Sequence, residues 1–341
     1  MWEPVYFAAV PRLKWSLWLL PALACRGPFP QSTLDPRSDF SAAIDGLFTN
    51  IFWWALFVFV VVESLLLFAI IRYRARPGAP EPKPLHGHTA LEIGWTLAPA
   101  LILVFIAVPT IRTIFATAGH APPSALRVEV IGHQWWWEFR YPSLGITTAN
   151  ELHLPVHTPV QLDLSSADII HSFWVPRLGG KRDLTPGHVT RIAFRSDSAG
   201  EYLGQCAEFC GVSHANMRLR VFVQPEAEFQ AWVAGQQPAS GPAAAGGDAR
   251  VQEGRQEFVR NGCIACHTIA ELPQARGVLG PNLSRVGSRT TIASGLFANT
   301  ADNLRRWIHN APAVKPGALM PPSLLPDSEL DALVAYLQSL K

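Results

Sequence analysis

The chain has 341 residues, enough for two or three domains. Its net charge of +2 provides no field for nucleic acid, which is excluded as a partner. Charged residues make up only 16% and hydrophobic residues 49%, a balance that points to membrane content.

At the start, Arg12-Leu-Lys14 precedes an apolar run at 15–24, the pattern of a signal peptide and too short for a membrane span. Leu23-Ala24-Cys25 resembles the end of a bacterial lipoprotein cleavage site, although Ala22 stands where Leu is usual. A lipid anchor at Cys25 and ordinary cleavage nearby both stay open. Two longer apolar runs follow, at 51–71 and 93–111, the first interrupted by Glu63 and Ser64, the second by Pro99 and Pro109. Each has about 20 residues, the length that crosses a ~30 Å hydrocarbon core as a helix. Glu63, inside the first run, is a functional candidate by its position alone, with no specific role. Arg72, Arg74, Arg76 and Lys83 lie between the runs against Glu81 and Glu92, which marks this loop as cytoplasmic. Both ends of the hairpin then face outward, and everything after about residue 116 is extracytoplasmic.

From 126 to 224 the pattern becomes strand-like. Apolar and polar residues alternate at 127–131, 160–164, 191–194 and 218–223, with Gly and Pro between, as in a β-sandwich or barrel. Three successive tryptophans, Trp135, Trp136 and Trp137, cannot all face one side of a strand, so at least one is available to a partner. Between two strands lies Cys206-Ala-Glu208-Phe-Cys210-Gly-Val-Ser-His214-Ala-Asn-Met217. Two thiols, an imidazole and a thioether within this loop suit copper, because soft ligands select it. A disulfide between Cys206 and Cys210 would explain neither His214 nor Met217, and structural zinc prefers Cys and His to Met. His171, in Asp168-Ile-Ile-His171-Ser-Phe-Trp, is the best upstream candidate for a second imidazole.

Residues 235–248 are rich in Gly, Ala and Pro and read as a flexible linker. Beyond it, Cys263-Ile-Ala-Cys266-His267 is a c-type haem attachment motif. Its thiols add to the haem vinyls and His267 becomes the proximal ligand; Met320, in Gly317-Ala-Leu-Met320-Pro, fits the sixth position. Helices are predicted near 251–260, 302–310 and 327–340, with Asp302 and Asp327 as N-caps. The charge balance is slightly acidic over 120–230 and slightly basic over 251–341, a weak complementarity that salt would screen. The five cysteines are divided among Cys25, the copper loop and the haem motif, leaving no structural disulfide.

The 206–217 loop, His171-Ser-Phe-Trp, Gly132-His-Gln-Trp-Trp-Trp137 and the preceding hairpin resemble subunit II of haem–copper cytochrome c oxidases over residues 40–230. Residues 249–341, with the haem motif and Gly280-Pro-Asn-Leu283, resemble a class I cytochrome c, and the fusion resembles the caa-type oxidases. The resemblance implies a multidomain chain: a transmembrane helical hairpin at 47–116, an all-β cupredoxin barrel at 120–230 and an all-α cytochrome c domain at 249–341. A signal peptide at 1–24, an outer segment at 25–46 and the linker at 235–248 complete it. It implies a dinuclear CuA centre in which His171 and His214 each ligate one copper and Cys206 and Cys210 bridge the two. Met217 and the Glu208 carbonyl would be the weaker ligands, with the Glu208 side chain on a magnesium ion shared with subunit I. It further implies Trp135 as the electron-accepting residue, although Trp136 stands where the family usually has Tyr. It implies Glu92 at the cytoplasmic mouth of a proton channel of subunit I; Glu92 also reads as an acid favoured at a helix start.

Under this resemblance the chain belongs to the respiratory chain of a bacterial inner membrane, in contact with lipid. It takes electrons from an external cytochrome c or a quinol-oxidising complex through haem c to CuA. Subunit I then reduces oxygen and pumps protons. Alternatives are the electron-receiving subunit of a CuA-type nitric oxide reductase, a nitrous oxide reductase, or a stand-alone membrane electron carrier or copper store. The helical hairpin and the lack of a large His-rich domain oppose nitrous oxide reductase. Glu92 and Glu208, matching contacts to subunit I, oppose a stand-alone carrier.

Overall fold

Two long helices, two facing β-sheets and a helical C-terminal domain follow one another in the computed structural model of the chain. It describes residues 29–74, 76–78, 87–119, 121–237 and 248–341. The expected signal peptide, Cys25, the loop residues Glu81 and Lys83, and linker residues 238–247 lie outside the described residues. Gln31–Lys341 form one compact unit.

The apolar runs are the centres of longer helices, Asp39–Arg72 and Thr89–Thr117, both apolar enough to cross a membrane. The first starts twelve residues before its apolar run. The reason is local: Ser38 and Ser41 form a reciprocal capping box that satisfies the first turn. The same serines tie this end to the β-domain, Ser38 Oγ donating to Leu178 O at 2.5 Å and Ser41 Oγ to Arg177 O at 2.8 Å. Phe40 is buried against Gly179 and Gly180.

The expected strands are present within Leu126–His133 (β1), Pro159–Ser166 (β5), Thr190–Arg195 (β8) and Arg218–Gln224 (β10). They are joined by Trp136–Tyr141 (β2), Ile146–Ala149 (β3), Glu151–Pro155 (β4), His171–Trp174 (β6), Arg182–Leu184 (β7) and Gly200–Cys206 (β9). One sheet runs β3-β2-β1-β5-β8 and the other β4-β10-β9-β6-β7. Alternation sets the core: Val128, Val130, Leu162 and Leu164 from one sheet meet Leu152, Leu154, Leu219 and Val221 from the other. The helix Glu226–Gln236 closes the domain with Phe229 buried and Trp232 stacked on His153, ring centroids 4.3 Å apart. It runs past the expected start of the linker at 235.

In the C-terminal domain the helices are Ala249–Arg260, Ala301–His309, Ala311–Val314 and Asp327–Ser339, with a two-residue ladder between Thr291–Ile292 and Phe297–Ala298. Ala249–Arg260 crosses Asp327–Ser339 at Gly254, where a Cβ would lie 2.0 Å from Ala332 O. The N-caps differ from expectation. Thr300 caps Ala301–His309 by accepting from Asn303 N, and Pro326 precedes Asp327–Ser339. Asp302 and Asp327 instead sit in the first turns, where a carboxylate still meets the positive helix end.

Candidate functional site

The antiparallel pair β9–β10 is the frame of the cysteine loop. Gln205 lies opposite Arg218, and Cys206 N donates to Met217 O at 2.9 Å, closing the loop at its base. β6 pairs with β9 through Phe173 and Cys206, which brings His171 alongside. His171 Nδ1, Cys206 Sγ and Cys210 Sγ all lie within 4.8 Å of one another and can hold a metal ion. The two sulfurs are 3.7 Å apart. His214 Nδ1 is 3.5 Å and Met217 Sδ 3.9 Å from Cys210 Sγ, and the Glu208 carbonyl is 3.2 Å from Cys206 Sγ. His171, Cys206, Cys210 and Met217 are buried. Two thiolate donors flanked by imidazoles and a thioether in an apolar setting fit copper.

Protonation agrees with a metal-ready pair. A neighbouring Cys210 thiol, and then His171, stabilise a Cys206 thiolate and hold its pKa well below the ordinary thiol range, against the effect of burial. The Cys206 thiolate and burial push the Cys210 thiol well above its ordinary range. Loss of the second proton is thus coupled to the arrival of positive charge.

Several neighbours that sequence reasoning missed prepare this geometry. Asp168 Oδ1 is 2.7 Å from His171 Nε2, which leaves Nδ1 to face the sulfurs. Burial would raise the Asp168 pKa, but bonds from His171, Gln134 N and Ile169 N hold it below the ordinary carboxylate value. The signal was an acid three residues before His171. Gly132 makes room: a Cβ there would lie 2.8 Å from His171 Cδ2.

The three tryptophans separate as their alternation requires. Trp137 is in the core, and Trp136 stacks on His133 with centroids 4.1 Å apart. Trp135 precedes the strand and donates from Nε1 to Cys210 O at 2.7 Å. It is not open to solvent, as expected of an outward tryptophan, but only 9% exposed. The C-terminal domain covers it. Its carbonyl accepts from Lys315 Nζ at 2.5 Å and Ser294 Oγ at 2.8 Å. At Gly317 a Cβ would lie 2.5 Å from its ring.

In that domain Cys263 opens a short 3-10 turn, Cys263–Ala265, and His267 N bonds Cys263 O. His267 Nδ1 is 2.8 Å from Pro281 O and donates to it, which leaves Nε2 for a metal. Burial lowers the His267 pKa and favours the neutral ligating form. Gly280 lies flat on the ring, where a Cβ would come within 2.4 Å. Met320 and Cys263 pack beside the core of the same domain. The donor set and the orientation of His267 fit haem c. Glu92 is in neither group. It opens the second span and accepts from His88 N at 3.2 Å. The Glu208 carboxylate is exposed.

A two-helix membrane hairpin, a β-domain with a paired-thiol metal site and a haem-motif domain define a membrane-bound electron-transfer subunit. Residues 33–113 match the family described as Cytochrome C oxidase subunit II, transmembrane domain. Residues 144–223 match Cytochrome C oxidase subunit II, periplasmic domain, and residues 251–341 match Cytochrome c. Cytochrome c oxidase subunit 2 of Alkalihalophilus pseudofirmus is 37% identical over 327 residues, covering 93% of both chains. That of Bacillus sp. strain PS3 is 35% identical over 79% of this chain and 80% of its own. The periplasmic domain of subunit II from Bradyrhizobium japonicum is 29% identical over 34% of this chain and 96% of that one, with a TM-score of 0.33. The chain belongs to the cytochrome c oxidase subunit II family. It is a subunit of a haem–copper oxidase with its own cytochrome c domain, and it receives electrons for that complex.

Proposed function

We propose that electrons pass inward along this chain in a fixed order: external donor, haem domain, Trp135, cupredoxin, subunit I. The observation that carries the order is the position of Trp135, bonded to the Cys210 carbonyl on one side and covered by Lys315, Ser294 and Gly317 on the other. The terminal acceptor is oxygen, reduced in subunit I with proton pumping. The donor is a cytochrome c or a quinol-oxidising complex.

In this reading His171 and His214 each ligate one copper of CuA, and Cys206 and Cys210 bridge the pair. Met217 and the Glu208 carbonyl, both beside the sulfurs, are the weak ligands, as thioether and carbonyl donors are. A copper pair held by these two thiols would supply one-electron transfer with little reorganisation, because the buried sulfurs and imidazoles are already in place. Cys263 and Cys266 attach haem c, and His267 and Met320 are its axial ligands. The exposed Glu208 carboxylate is free to reach a magnesium ion at subunit I, and Glu92 stands at the mouth of a proton channel. The hairpin at 47–116 crosses a bacterial cell membrane with both chain ends outside, and Cys25 is the candidate position for a lipid anchor. The boundaries 120–230 and 249–341 enclose the two redox domains.

EPR of the oxidised, copper-loaded oxidase tests the centre. A mixed-valence signal shared by two copper nuclei is expected. A single-copper type 1 spectrum, or stoichiometric zinc, would contradict it. Cys206→Ser should abolish the shared signal, because a hydroxyl is a poor bridge for copper.

A further inference from the structure

The haem domain touches the cupredoxin through groups that a loosely tethered domain would not need. Glu151, the first residue of β4, is 3% exposed. One of its carboxylate oxygens accepts from Thr290 N at 2.9 Å, Thr290 Oγ1 at 2.7 Å, Thr291 N at 2.8 Å and Thr291 Oγ1 at 2.9 Å. All four donors come from the other domain. Half-buried Arg289 beside them has its pKa lowered to about 10 by desolvation, with the Glu151 charge acting in the opposite sense. A buried carboxylate so paired is strongly held, because each lost donor would strand charge away from water.

A second point of contact lies at Trp135. Lys315 Nζ, buried, donates to Trp135 O at 2.5 Å and to Ser294 Oγ at 2.8 Å. Ser213 Oγ, from the cysteine loop, donates to Pro316 O at 2.5 Å. Gly317, at φ +82°, lets the Met320-bearing loop lie against both the Trp135 ring and Val212. A third contact comes from Arg285, whose Nε and Nη2 donate to the carbonyls of Gly235 and Gln237 at the end of the cupredoxin helix.

We propose that Glu151 and Lys315 are positioning residues that hold the haem domain on Trp135 as a fixed dock, so that Trp135 serves this chain's own haem and is closed to external donor proteins. The inference rests on the electron order proposed above. A tether alone would give an effective concentration on the order of mM and a docking step that viscosity slows. A fixed dock has no such step.

The test uses the intact oxidase, with its haem domain reduced by a flash and copper reduction followed optically. In the wild type the rate should be independent of viscosity and salt. In Glu151→Ala, with the haem and copper spectra unchanged, the transfer should slow roughly tenfold or more, as expected for stranding buried donors, and become viscosity-dependent. Lys315→Met should act in the same direction, and Glu151→Gln, which keeps an acceptor oxygen, should fall between. Glu201→Ala, an exposed acid of the cupredoxin paired with Arg220, should leave the rate alone. With photoexcited zinc cytochrome c as external donor, wild-type copper should be reduced only after the haem. Glu151→Ala should add a direct phase. Wild-type transfer that slows with viscosity, or Glu151→Ala transfer identical to wild type, would overturn the fixed dock while leaving the electron order intact. No transfer from haem to copper in the wild type would overturn the order itself and the dock with it.

Discussion

His171 owes its direction to residues that are not ligands. Asp168 fixes its Nε2, and Gly132 gives its ring space. Asp168→Ala should therefore weaken copper binding roughly 10- to 100-fold, the usual cost of losing a partner behind a ligating histidine. Competition against a copper chelator measures it, and unchanged affinity would remove Asp168 from the site. Gly132→Ala should destabilise the β-domain by about 1–3 kcal/mol through overpacking, seen as a lower denaturant midpoint. In the haem domain, Met320→Ala should keep the haem attached, lose the sulfur-to-iron band and lower the potential. An intact far-red band would assign the sixth ligand elsewhere. At this scale the sequence displayed the donors, because soft ligands in one loop have few other uses. It displayed their supports poorly. Asp168 lies only three residues before His171, but nothing else in the pattern marks it as a partner, and Gly132 meets the His171 ring only when β1 and β6 face each other.

Elements show the same division. Strands β1, β5, β8 and β10 were legible because alternation there has period two and one face is buried. The helix Glu226–Gln236 was not, since few of its residues are anchored and it runs into a Gly- and Pro-rich segment. Its Trp232 stacks on His153, which is also stacked on Phe222 and lies 2.9 Å from Gln224 Oε1. Burial lowers the His153 pKa to about 4, the Gln224 bond opposing this in part. The unfolded chain then takes up the proton first. Stability from a neutral His153 is complete above about pH 6.5 and is lost as pH falls toward 4, a change of order 3 kcal/mol. The melting temperature of the β-domain should fall over that window, and His153→Phe should flatten the dependence. An equally steep acid limb in the variant would place the responsible proton on another group.

For the whole molecule the decisive relation is between domains, and it was the least legible. The weak opposite charges of 120–230 and 251–341 predicted attraction without geometry. The contacts that define the interface join Glu151 to Thr290 and Thr291, and Trp135 to Lys315, pairs that no local pattern links. Alternation sets Trp136 apart from buried Trp135 and Trp137, but does not show that Trp135 is covered by the haem domain. The first span is likewise fixed to the β-domain by Ser38 and Ser41, so the site has a set height above the membrane helices. The central claim is that electrons cross from the haem domain to the cupredoxin through Trp135. Flash reduction of the haem in a Trp135→Phe oxidase tests it most directly. Phe keeps the ring face but loses the indole bond to Cys210 O. The account expects slower copper reduction in folded protein with an unchanged copper spectrum, whatever the loss of the buried indole does to the melting temperature. Wild-type transfer rates in folded Trp135→Phe protein, with or without a lowered melting temperature, would contradict it.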